Sequence, residues 1–78
     1  MYIIKVNDLF LSYNSEHSVL ILVDKFVDPN EDSFDREYGT ATCLFTNKVE
    51  ASKAICNEEF WFMMPDHPDS IKIEVVKM

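Results

Sequence analysis

Asp28, Asn30 and Asp32 stand at the first, third and fifth places of a helix-loop-helix calcium loop, the only metal-like spacing in the chain. The sixth place needs glycine for its sharp turn and holds Ser33. The twelfth needs a bidentate glutamate and holds Gly39, so a solvated acidic loop is the expectation rather than a calcium site. Zinc would have to draw on Cys43, Cys56, His17 and His67, among which no short Cys-x-x-Cys or His-x-x-x-His pair fixes two ligands at once. A cysteine nucleophile with His67 as base lacks the structure to build a pocket around it. The carboxylate pairs Glu58–Glu59 and Asp66–Asp69 read as solvated surface rather than as an acid and a base. These residues predict a protein that is not an enzyme and holds no metal or cofactor.

The remaining chemistry is charge. The formal net charge is −7, with fourteen acids against seven bases, the wrong sign for gripping a phosphate backbone or an anionic membrane and the right one for a basic protein surface. The acids are concentrated. Residues 24 to 37 hold Asp24, Asp28, Glu31, Asp32, Asp35 and Glu37 against Lys25 and Arg36, while residues 58 to 69 hold Glu58, Glu59, Asp66 and Asp69 with no lysine or arginine. If folding brings both segments to one side, their carboxylates form an anionic surface that can occupy the Lys and Arg partners of nucleic acid. Between them lies Phe60-Trp61-Phe62-Met63-Met64. As a strand it points Phe60, Phe62 and Met64 to the core and Trp61 and Met63 outward, and tryptophan is enriched where proteins meet partners. The candidate partner-binding residues are therefore Asp28, Glu31, Asp32, Asp35, Glu37, Asp66, Asp69 and Trp61.

The elements that must carry these residues follow from periodicity. Residues 2–6 and 9–13 read as two strands joined at Asn7-Asp8, a pair that tolerates the positive φ of a tight hairpin. Residues 18–23 are apolar on both faces and make the best central strand. Asp28 to Glu37 reads as an exposed, mobile loop, and residues 38–45 as a fourth strand with Gly39 at a bulge or close backbone approach. Asn47 caps a helix, with Glu50 three residues on, which ends near Asn57. Residues 59–64 follow as a strand, with one long helix over 48–63 as the competing reading. Ile71, Ile73 and Val75 point inward from a last strand. The predicted class is α+β: one domain over residues 1–78, a mostly antiparallel sheet of four to six strands with one helix packed on one face.

Composition sets the outer limits. An apolar share of 47% suits a folded domain, and 78 residues leave room for one thin core. Two cysteines are too few for a disulfide scaffold and are expected as small buried hydrophobes. The first residues carry no basic stretch ahead of an apolar run, and no apolar run reaches membrane-spanning length, which predicts a cytoplasmic protein.

The opening Tyr2-Ile3-Ile4-Lys5, the hairpin residues Asp8-Leu9-Phe10-Leu11, and Leu44-Phe45-Thr46-Asn47-Lys48-Val49-Glu50-Ala51 leading into a helix together resemble small accessory proteins of bacteriophages and mobile elements, the kind that includes anti-CRISPR proteins. The resemblance covers about half of the chain and rests on structural rather than catalytic residues. It implies a short, acidic, non-enzymatic cytosolic inhibitor that blocks a nucleic-acid-binding surface of a host complex. The competing expectation is a structural or assembly module, a homodimer formed through an exposed strand edge or through Trp61 and Met63.

Overall fold

The computed structural model describes residues 1–62, 64 and 71–78. Its sheet grows from one dipeptide. Asn7 and Asp8 take φ of 50° and 68°, a left-handed conformation that asparagine and aspartate adopt at low cost and that matches the twist of a tight hairpin. They join β1 (Tyr2–Val6) to β2 (Leu9–Asn14), with Val6 opposite Leu9. A second turn, with Ser18 at φ 54°, leads into β3 (Val19–Val23), which pairs with β2 from Asn14↔Val19 to Phe10↔Val23.

On its other side β2 is shared. Its first residues pair with β1, and its last with β4 (Thr40–Thr42), in the register Ser12↔Thr42 and Asn14↔Thr40. Residues 40–45 thus fill the notch where β1 and β2 part: Cys43 N donates to Leu11 O, and Tyr2 and Phe45 exchange two backbone hydrogen bonds of 2.8 Å. β5 (Ile73–Lys77) runs antiparallel to β1 along its length, from Val6↔Ile73 to Tyr2↔Lys77. The result is a five-stranded antiparallel sheet, order β3-β2-β1-β5 with β4 on β2, and the α+β class is the one predicted.

Among the described residues three short helices complete the fold: α1 (Phe34–Glu37), α2 (Lys48–Ile55) and α3 (Glu58–Phe62). α2 begins where the sequence places it, with Asn47 Oδ1 accepting from Glu50 N at 2.9 Å. It stops at Ile55 with Cys56 as its C-cap. The strand expected over 59–64 is instead α3, and the single helix over 48–63 is broken at Cys56 and Asn57. Asn57 decides both points. Its carbonyl accepts from Phe60 N at 3.1 Å and its side chain from Glu59 N at 2.9 Å, and Glu58 and Glu59 occupy the first turn, where the helix dipole favours acids.

Ile4, Val6, Leu11, Ala51 and Phe60 form the buried core between α2, α3 and one face of the sheet, with Leu20, Leu22, Ile73 and Val75 packed against them. These alternate along each strand as the pleat requires. β3, expected at the centre, is an edge strand. Its runs of Val, Leu and Ile suit burial on both faces because α3 covers Leu20 and Leu22 on one side while the chain after Val23 returns over the other. The fourth strand is shorter than expected, and the loop over 28–37 contains α1.

Candidate functional site

β3 and β4 lie on opposite sides of β2, so the chain between Val23 and Thr40 has to cross a face of the sheet. Phe26 marks the face: its ring meets Phe10 edge-on at 6.3 Å, and Phe10 alternates with Leu11, which faces the helices. The acidic segment is therefore a strap over the face opposite α2 and α3. Along its path it covers Ser12, Asn14, Thr40 and Thr42, polar residues that are buried. Each end is hydrogen-bonded into the sheet. Val27 N donates to Thr42 Oγ1 at 2.8 Å and Thr42 N to Val27 O at 2.9 Å. At the far end Asn14 Nδ2 donates to Tyr38 O and Thr40 Oγ1, and Ser15 N to Gly39 O.

Local sequence shapes the strap between these pins. Asp28 Oδ1 accepts from Asn30 N at 2.8 Å, closing an Asx turn. Ser33 caps α1 by accepting from Arg36 N, and Gly39, at φ 84°, lets the chain pass Ser15 and Glu16, where an added Cβ would stand 2.8 Å from Ser15 Oγ. The carboxylates are thereby sorted. Glu31, Asp32 and Glu37 are exposed; Asp28 and Asp35 are half-buried. Asp35 also holds Lys25 in a 2.7 Å ion pair, whose hydrogen bond raises the lysine pKa. Of the five candidate carboxylates of the strap three are open, and Asp24 at its start is exposed as well.

Two residues overlooked in the sequence lie among them. Phe34 and Tyr38, four apart, pack with tilted rings whose centroids are 4.8 Å apart, and remain 71% and 55% exposed. Their spacing was the available signal, hidden because the segment reads as loop. The depression beside them is lined by Asp32, Ser33, Phe34, Arg36 and Glu37. A charged rim around exposed aromatic surface is suited to binding a basic protein, because such rings supply the desolvated anchor that surface ion pairs lack.

The described part of the second acidic segment lies elsewhere. Glu58 and Glu59 are exposed on α3, on the helical side of the sheet, so these two carboxylates do not join the strap. Asp66 and Asp69 lie outside the described residues, as do Met63 and His67. Trp61 is exposed as expected, at 48%, with its ring edge-on to Phe60. It too belongs to the helical side. Phe62, expected in the core, is 81% exposed, because two positions along a helix from the buried Phe60 it points to a different face.

Among the described residues no three His, Cys, Asp or Glu side chains gather as a metal site, and no helix is long and apolar enough to cross a membrane. The cysteines differ. Cys56 is exposed, against expectation, because it caps α2 at its solvent end. Cys43 packs at the margin of the core, where burial pushes its thiol from 9.0 up to about 11. Iodoacetamide at about pH 8 is expected to label Cys56 alone in the folded protein and Cys43 only in denaturant, as peptide mass spectrometry would read; equal labelling of both would contradict this placement. The unfolded chain releases the Cys43 proton near 9 and the folded chain near 11, so this group lowers stability as pH rises through that window.

Compared with family models, curated proteins and solved structures, the chain matches none.

Proposed function

We propose that this protein is a small non-enzymatic inhibitor of the phage and mobile-element kind that includes anti-CRISPR proteins, binding a basic nucleic-acid-binding surface of a host complex through its acidic strap. One observation carries the reading: Glu31, Asp32 and Glu37 stand exposed on the same segment as the exposed Phe34–Tyr38 pair, and that segment is hydrogen-bonded to the sheet at both ends. Such pinning lowers the ordering cost of binding. Exposed ion pairs contribute under about 1 kcal/mol each, so the acids chiefly set association rate and specificity, while the aromatic pair sets residence time.

The test is Glu31→Lys with Asp32→Lys and Glu37→Lys in one chain, leaving the Lys25–Asp35 pair intact. With purified CRISPR effector complexes as candidate targets, the wild-type chain is expected to prevent target DNA binding at about 0.1 M salt and to lose effect at about 0.5 M, as screening grows. The triple variant is expected to fold normally and to inhibit at least about 100-fold less well. Equal inhibition by the variant, or inhibitor and DNA bound together to one complex, would overturn the reading.

A further inference from the structure

A second surface lies at the free edge of β3, on the side of β2 away from β4. β3 pairs only with β2 among the described residues. Because Leu11 O accepts from Cys43 N, the backbone groups of Leu11 and Tyr13 face β4, those of Ser12 face β3, and the alternation leaves the N–H and C=O of Leu20 and Leu22 directed outward from the sheet. Natural edge strands are guarded by lysine, proline or a bulge. The edge at β5 has this protection in Glu74 and Lys77, whereas Val19-Leu20-Ile21-Leu22-Val23 has none.

The unguarded edge borders a groove. Ser18, Val19 and Leu20 form one wall and Glu59 and Phe62 of α3 the other, enclosing about 340 Å³. Val19 and Phe62 are 45% and 81% exposed there, an apolar lining beside open backbone groups. Its one charged lining residue is Glu59, Glu58 precedes it on α3 and is exposed, and no lysine or arginine occurs between Ala54 and Ile71. A second copy, carrying the same glutamates and a net charge of −7, is repelled from this edge.

We infer that β3 and α3 receive an extended segment of a partner protein as an added strand, one that alternates apolar residues with lysine or arginine. Its backbone pairs with Leu20 and Leu22; because alternate side chains leave a strand on opposite faces, its cations meet Glu58 and Glu59 on the α3 side and its apolar side chains lie beside Val19 on the other.

The probe is a fluorescent peptide of about seven residues alternating lysine and valine, a length that spans β3. Fluorescence anisotropy with the full chain is expected to show binding, weakened about tenfold or more by Glu58→Lys combined with Glu59→Lys, while NMR signals of the Leu20 and Leu22 amides move. An otherwise identical peptide N-methylated at alternate residues keeps its charge and loses its donors, and is expected not to bind. The triple strap variant, tested in parallel, is expected to bind the peptide as the wild type does, so failure here and failure of the strap reading are separable. Equal binding of the N-methylated peptide, loss of binding in the strap variant with retention in the Glu58→Lys, Glu59→Lys chain, or a peptide-free dimer in light scattering that Phe62→Asp dissolves would each overturn the inference.

Discussion

Phe60→Ala is expected to remove a large share of the protein's stability at room temperature. Phe60 is the largest fully buried side chain, and removing a buried phenylalanine ring costs about 3–5 kcal/mol in lost transfer energy and cavity. A chain of 78 residues has only about 4–12 kcal/mol of total stability to lose. The neighbours sharpen the test. Phe62→Ala is expected to change stability by less than about 0.5 kcal/mol, since an exposed side chain has little burial to lose. Trp61→Ala is expected to cost about 1 kcal/mol, mainly its edge-on contact with Phe60. Urea denaturation of the three variants reads this order. A Phe62→Ala cost equal to that of Phe60→Ala would mean the alternation of a strand and would contradict α3.

Gly39→Ala is expected to cost about 2 kcal/mol, most of it from holding an alanine in the left-handed region. Gly39 sits at φ 84°, and its added methyl group would also meet Ser15 Oγ at 2.8 Å and Glu16 N at 3.1 Å. The melting temperature should fall by roughly 10 °C for a domain of this size. Combining Gly39→Ala with Ser15→Ala separates the two causes, because the second change removes the hydroxyl and leaves the backbone conformation untouched. Partial recovery is the expected result. An unchanged melting temperature for Gly39→Ala alone would show that this turn relaxes without strain.

What the sequence revealed depended on how local the signal was. The Asn7-Asp8 turn, the Asn47 cap and the alternation of Ile71, Ile73 and Val75 are decided by neighbouring residues, and all three were legible. The position of β3 was not, because its apolar run records how deeply each face is covered, not how many strands flank it. α3 was missed for a related reason: the Phe60–Met64 run fits no single period, and Asn57, which starts the helix, reads as an ordinary terminator. At the strap, the sequence identified the acids but not which ones remain open. That depends on Lys25 reaching Asp35 and on the Asx turn at Asp28, contacts that no spacing rule specifies, and the Phe34–Tyr38 pair was concealed by the acids around it.

The notch between β1 and β2 gives this fold an order of assembly. The β1–β2–β3 meander closes through short turns and forms early, whereas β4 reaches its place only after the intervening chain has been laid across the sheet, a slower search. Reopening runs in reverse, so β4 and the strap detach together as one cooperative unit while the meander persists. A partner that grips the strap therefore acts as a latch on the last step of folding, and its binding energy appears as added resistance to unfolding of the whole molecule.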